Sequence, residues 1–270
     1  MTLMVLGTSS NAGKTTVCAF LCRYFTKKGL NIIPYKASNL SLNSYVTESG
    51  AEIGIGQALQ AWACNTEPEA EMNPVLIKPS SDGRLQYVLN GKVYSNEGKP
   101  SKELLMDEAV KAFDKLKEKG KVICEGSGAP AELNLMDRDI ANIGIMKERE
   151  MNAILVGDIE RGGVFAAIYG TWLLIPDELK PKMKGFIINR FRGDITVLES
   201  GIREIEELTG MRYLGTMPYV ELTLPEEDTI SFRNRKNTSD DIHTEYLNSL
   251  DLLSDIAEKE LDMDYIESIL

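Results

Sequence analysis

The chain is poor in the residues that build metal centres. It has one histidine, His243, and four cysteines, Cys18, Cys22, Cys64 and Cys124, with no CxxC pair among them. A structural zinc site draws four nitrogen or sulfur ligands from short fixed spacings, so that class is not expected. Cys18 and Cys22 stand four apart on an expected helix, a spacing open to a soft-metal pair, but small buried hydrophobes account for both. Reduced thiols fit a cytosolic protein. Long apolar runs are also missing. No stretch reaches the roughly 18 residues of a membrane-spanning helix, and Thr2–Leu6 is far shorter than the roughly 7 to 15 apolar residues of a signal-peptide core. The cytoplasm is the expected location. Basic residues are outnumbered, 30 against 41 acidic, for a formal net charge of −11. That sign opposes association with nucleic-acid backbones and with anionic membranes. A polyanionic substrate would need a local basic site, which arginines in glycine-rich loops can supply.

A chain of 270 residues, 43% of them hydrophobic, can bury the core of one large α/β domain. Apolar runs suited to buried parallel strands recur at Thr2–Leu6, Ile32–Tyr35, Val122–Glu125, Ala153–Asp158, Gly185–Asn189 and Tyr213–Met217. Helical patterns lie between them. The clearest span Lys14–Lys28, Lys102–Lys119, closed by Gly120 as a C′ residue, and Val197–Thr209, closed by Gly210. This alternation predicts a doubly wound, mostly parallel sheet. Tyr87–Leu89 and Lys92–Tyr94 flank Asn90-Gly91, the signature of a type I′ hairpin, expected as an excursion from the main sheet or an addition to its edge. After Phe232 the sequence turns polar, so residues 234–270 are expected to form a linker followed by an amphipathic helix. Leu247, Leu250, Leu253, Ile256, Ala257 and Leu261 would face the core in that helix.

The segment Gly7–Thr16, GTSSNAGKTT, follows the first strand and opens the first helix, as phosphate binding by backbone N–H groups and a helix N-terminus requires. Thr8, Asn11, Ala12, Gly13, Lys14, Thr15 and Thr16 are the candidate nucleotide contacts. Lys14 would reach the β- and γ-phosphates, and the Thr15 hydroxyl would ligate Mg²⁺. Five residues, not four, separate Gly7 from Gly13, one more than the standard P-loop spacing. Magnesium also needs a carboxylate at a neighbouring strand end, and Glu125 closes Val122–Glu125 before a glycine loop. A buried strand ending in an unpaired acid would be costly without a cation or hydrogen bonds. Asn189 ends another strand and is a candidate for the adenine edge, with a strand-terminal Asx turn as the alternative.

Together with a second lysine in Pro34-Tyr35-Lys36, with EGSGAPAELNL at 125–135 and with IINRFRGD at 187–194, this loop resembles the dethiobiotin synthetase-like P-loop superfamily. Within it, NLSLNSYVTESGAEIGIGQALQ at 39–60, MNPVLIKP at 72–79, DRDIANIG at 137–144, DIERGGVFA at 158–166 and PEED at 225–228 are similar to the synthetase domain of the cobyric acid synthase family. The matches run in order from about residue 3 to 232, so residues 1–233 are read as an ATP-dependent amidoligase domain. The resemblance implies amidation of the b, d, e and g side-chain carboxylates of adenosylcobyrinic acid a,c-diamide, with ATP and Mg²⁺ as cofactors. Each carboxylate would be activated as an acyl phosphate, which must be shielded from water until ammonia attacks. Lys14 and Lys36 would stabilise the transferring phosphoryl group, with Thr15 and Glu125 on the metal.

The other motif residues would shape the corrinoid site. Asn39, Asn43, Glu132 and Asn134 offer hydrogen bonds to its carboxylates and amides, and Arg161 offers a forked guanidinium. Asp158 would either complete the metal shell or fix Arg161. Arg192 would touch substrate or form an ion pair with Asp194 inside a tight loop, and Met72–Pro79 reads as scaffold. Family members usually continue into a glutaminase domain with a cysteine nucleophile and a histidine. This chain, ending at Leu270, shows no such pair. A truncated chain, a separate glutaminase subunit and use of free ammonia all remain open, and a homodimer is compatible with the sequence. A dethiobiotin synthetase-type ligase would share the loop, Lys36 and Glu125, but the long segment 39–54 exceeds what a small substrate needs. A partitioning-type ATPase switch would carry a further lysine early in the loop, where this chain has Thr-Ser-Ser-Asn-Ala.

Overall fold

The computed structural model describes residues 2–79, 84–95, 98–220 and 239–270. In chain order the first half comprises β1 (Thr2–Gly7), α1 (Lys14–Lys27), β2 (Ile32–Tyr35), β3 (Ser38–Leu40), β4 (Ser44–Val46), β5 (Glu52–Gly54), α2 (Ile55–Ala63), β6 (Val75–Pro79), β7 (Leu85–Leu89), β8 (Lys92–Val93) and α3 (Lys102–Lys119). The second half comprises β9 (Lys121–Glu125), α4 (Ile143–Glu148), β10 (Asn152–Asp158), α5 (Val164–Leu174), β11 (Met183–Phe191), α6 (Glu199–Thr209), β12 (Arg212–Pro218), α7 (Ser239–Glu260) and α8 (Met263–Ile269).

The six apolar runs form one sheet in the order β12-β11-β10-β1-β9-β2, and every pair in it is parallel. β1 lies between β9 and β10, where the strand order reverses. Residues alternate faces along a strand. Leu3 and Val5 of β1 therefore pack with α1, α2, α7 and α8, while Met4 and Leu6 pack with α3, α4, α5 and α6. Helices cover both faces, which is the doubly wound α/β architecture expected. No described helix is long and apolar enough to cross a membrane. All four cysteines are free and buried.

Local chemistry explains most boundaries. The Ser101 hydroxyl caps α3 by accepting from the Leu104 N–H at 3.2 Å. Gly210 closes α6 in the left-handed conformation, φ 70°, as expected. Gly120 closes α3 for a different reason than the C′ role expected of it: its backbone is extended, and a Cβ there would lie 2.5 Å from the Asn31 carbonyl oxygen. Close approach, not a left-handed turn, demands the glycine. α6 begins at Glu199 because Asp194 accepts from the Thr196 N–H at 2.9 Å and starts a 3₁₀ turn over Ile195–Leu198 instead.

The Asn90-Gly91 hairpin is present, with φ of 45° and 77°. It is an excursion and does not extend the main sheet's edge: β7 and β8 join β6 and β3 in a separate four-stranded sheet. The C-terminal helix packs into the core. Leu250, Leu253 and Ala257 of α7 are buried where it packs on α1, Leu261 is buried beside Gly215 of β12, and Arg23 Nε meets Asp251 Oδ1 at 2.7 Å. His243 lies on α7, not in a polar linker, with its ring 5.0 Å from that of Trp62. Residues 225–228 and the stretch 233–238 lie outside the described residues.

Candidate active site

β1 delivers the phosphate loop to the C-terminal edge of the sheet, beside the strand-order reversal where open α/β sheets bind ligands. The Thr8 N–H donates to the Val156 carbonyl of β10 at 3.0 Å, which continues the sheet pairing one residue past the strand. Ser9, Ser10 and Asn11 are then exposed, Ala12 is buried, and Asn11 and Gly13 take left-handed φ of 60° and 100°. Gly13 is fixed twice over, because a Cβ there would lie 2.1 Å from Asn189 Nδ2. α1 starts directly after it with no side-chain cap and no acid in its first turn. Its first amides, near the half-buried Thr15 and Thr16, thus face no acid of the helix itself and suit a bound anion.

Lys14 folds back over the loop. Its Nζ donates to the carbonyls of Ser9 at 2.9 Å and Gly128 at 2.7 Å, so one ammonium ties the phosphate loop to the loop after β9. Its stem runs across Gly7, where a Cβ would approach Lys14 Cγ to 2.9 Å.

Glu125 stands at the centre. It ends β9, one strand from β1, and is 1% exposed. Its Oε1 accepts from the Thr15 hydroxyl at 2.7 Å and from Lys36 Nζ at 2.8 Å, while its Oε2 accepts from Gln60 Nε2 at 2.5 Å. Burial pushes the carboxyl pKa up, but the Lys36 charge and the hydrogen bonds from Lys36, Thr15 and Gln60 together outweigh it and hold the group below the ordinary glutamate value. Thr15, Lys36 and Glu125, which the sequence singled out from three separate segments, therefore meet in one place, and Lys14 adjoins them as the residue before Thr15.

A second tier of amides supports this cluster. Asn73 donates to the Lys36 carbonyl at 3.1 Å and accepts from the Gly54 N–H at 2.9 Å, which makes Met72–Pro79 scaffold, as expected. Asn142 grips both sides of Ser127, accepting from its N–H and donating to its carbonyl. Asp139 in turn accepts from the amides of Ala141, Asn142 and Ile143. Gln60 and Asn142 were singled out for no individual role from sequence, and Asn73 only as part of the Met72–Pro79 scaffold. The signal for Gln60 was present: α2 reads IGQALQAWA, and its two glutamines, one turn apart, are both fully buried.

Other expected site residues are placed differently. Asn39, 2% exposed, donates to Gln57 Oε1 at 3.2 Å and so lies beneath the site surface. Asn43 is half-buried between β3 and β4. Glu132 and Asn134 are exposed on the loop after β9, beside the exposed Leu133 and Leu135. Asn189 gives its amide nitrogen to the Ala12 carbonyl at 3.0 Å, leaving the oxygen end for a base. Asp158 pairs with Arg190 at 2.8 Å and accepts from the Glu160 N–H, while Arg161 is exposed. Beside the two expected partners of Asp158, metal or Arg161, the structure sets a third, Arg190, one residue after Asn189 and held at a left-handed φ of 62°. Arg192 does not pair with Asp194, whose carboxylate caps the following turn. It reaches Glu160 at 3.4 Å and lies 3.4 Å above the centre of the Tyr219 ring.

Among the described residues no three His, Cys, Asp or Glu side chains cluster as a metal cage. One carboxylate and one hydroxyl beside the loop are oxygen donors of the kind that Mg²⁺ accepts.

Residues 3–230 match the CobQ/CobB/MinD/ParA nucleotide binding domain family. The "Probable cobyric acid synthase" of Methanosphaerula palustris is 48% identical over 241 residues, covering 87% of this chain and 50% of that protein. The "Cobyric acid synthase" of Vibrio parahaemolyticus is 48% identical over 242 residues, with 87% and 50% covered. The chain spans about half the length of the curated relatives it matches. It belongs to the CobQ/CobB/MinD/ParA nucleotide binding domain family, and across that domain it is similar to curated cobyric acid synthases.

Proposed function

We propose that this chain carries the synthetase half of a cobyric acid synthase, converting corrinoid side-chain carboxylates to amides with ATP. The observation that carries the reading is the convergence of Thr15 and Lys36 on the buried carboxylate of Glu125, at the start of the helix that Lys14 opens. A carboxylate is a poor acyl electrophile, so amide formation needs it phosphorylated first. In this reading the loop amides and Lys14 hold the ATP phosphates, with the Lys14 ammonium leaving the Ser9 and Gly128 carbonyls for them. Lys36 neutralises charge on the transferring phosphoryl group, and Asn189 Oδ1 meets the adenine amino group. Thr15 and Glu125 would hold Mg²⁺, which supplies charge neutralisation between the β- and γ-phosphates. The chain's own part is positioning and charge stabilisation.

The substrate would sit over the segment between β3 and β5 and the loops after β9 and β10. There Asn43, Glu132, Asn134 and Arg161 offer polar contacts, and Leu40, Leu42, Leu133 and Leu135 are 51% to 65% exposed as apolar surface for a macrocycle. Asn39, being buried, orients this segment through Gln57. Ammonia would come free or from a glutaminase on another chain or domain, the reaction would proceed in the cytoplasm, and two copies would pair as a homodimer.

Asn43→Ala tests the assignment of sides. The Asn43 carbonyl accepts from the Ile55 N–H at 3.3 Å through the main chain, which alanine keeps. The expected outcome is a rise in corrinoid KM on the order of tenfold, with ATP affinity unchanged by titration calorimetry. An equal loss of ATP affinity would show that this segment serves the nucleotide.

A further inference from the structure

We infer that Gln60 is the positioning residue that keeps Glu125 aimed at its ligand while the other partners of that carboxylate are redeployed. The inference rests on the reading of Glu125 as the metal acid.

Three side chains hold Glu125, and they divide by oxygen. Thr15 and Lys36 both donate to Oε1, and both have tasks on the nucleotide: a hydroxyl for the metal and an ammonium for the phosphoryl group. Oε2 is held by Gln60 at 2.5 Å. Gln60 projects from α2, a helix that faces the first layer of the core, and is 0% exposed, so it has no path to a ligand. Its bond to Oε2 is the one that survives when Thr15 and Lys36 turn to the nucleotide.

The orientation of the Gln60 amide supports a role beyond packing. Its Oε1 is buried with no hydrogen-bond partner. A residue kept only to fill this volume would be apolar, as Ile55, Ala58 and Leu59 are on the same helix. Turning the amide over would set its oxygen against the carboxylate, so the donor must face Glu125 and the carbonyl is left unmatched. One turn earlier, Gln57 accepts from Asn39 in the same way and leaves its Nε2 unmatched. α2 thus carries two buried amides that each spend one end on a residue of the candidate site.

The test is equilibrium binding of ATP, measured by titration calorimetry with excess Mg²⁺ and again with a chelator, on the wild type, Gln60→Met and Glu125→Gln. Methionine keeps the volume and cannot donate. Gln60→Met is expected to lose about 10- to 100-fold of the Mg²⁺-dependent gain in ATP affinity, the range seen when the partner of a metal ligand is removed. Its affinity for metal-free ATP should stay at the wild-type value, which a general loss of structure would not allow. Should Gln60→Met fail to fold, Gln60→Leu removes the same donor with a side chain of nearly the same size and carries the same expectation. If Glu125→Gln loses the Mg²⁺ gain and the folded Gln60 variant keeps it, the inference is overturned. If Glu125→Gln itself keeps the gain, the reading of Glu125 as the metal acid falls, and with it this inference.

Discussion

Lys14→Ala is expected to lower ATP turnover by about 10²- to 10³-fold, the loss typical of removing one preorganised donor from a developing charge. Two features make the effect large. The ammonium is the cation of the phosphate loop itself, and it is 6% exposed, so water does not replace it readily. It also ties the loop at Ser9 to the loop after β9 at Gly128, and alanine releases both. Global stability should change little, because the β1–β9 pairing and the start of α1 do not depend on the side chain. Steady-state ATP hydrolysis with a thermal melt checks both halves. Turnover within tenfold of wild type would remove Lys14 from the mechanism.

Lys36→Met is expected to be harsher on the fold. It leaves Glu125 ionised, buried and held only by neutral donors, and breaking a buried pair from one side costs about 3–5 kcal/mol. The pH dependence gives the sign. Because the folded carboxyl lies below its ordinary value, its contribution is fully present above the unfolded value of about 4.3 and fades as pH falls towards the folded one. Without Lys36 the burial effect is unopposed by charge, the carboxyl moves up, and the penalty grows as pH rises above about 4.3. Urea unfolding should therefore show the gap between wild type and variant widest near neutrality and narrowing towards pH about 5. The double variant Lys36→Met with Glu125→Gln should recover most of the stability and none of the turnover. A pH-independent gap would mean that the pair is not charged in the folded protein.

The elements read most directly from sequence are those whose cause is local. Apolar runs gave the six parallel strands, Asn90-Gly91 gave the hairpin, and the glycine-rich loop between strand and helix gave the phosphate site. Gly120 shows where local reading stops, since the residue that requires it is Asn31, distant in sequence and near in space. The candidate site divides the same way. Glu125 and Lys36 were each legible at a strand end, but their contact joins residues 89 apart. Gln60 was marked only by its place in an apolar helix, and its partner Glu125, 65 residues away, is not written there. The Arg190 partner of Asp158 was hidden for a related reason. Arg161 is its neighbour in sequence, but the parallel β10–β11 register sets Asp158 against Asn189, one residue before Arg190.

The central claim is that this cluster activates a corrinoid carboxylate, and incubation of the chain with ATP, Mg²⁺, ammonium and the a,c-diamide corrinoid tests it most directly. Mass spectrometry of the corrinoid should reveal stepwise replacement of carboxyl hydroxyl by amino groups, dependent on ATP and absent in Lys14→Ala. An unchanged corrinoid, together with ATP hydrolysis indifferent to its presence, would contradict the account.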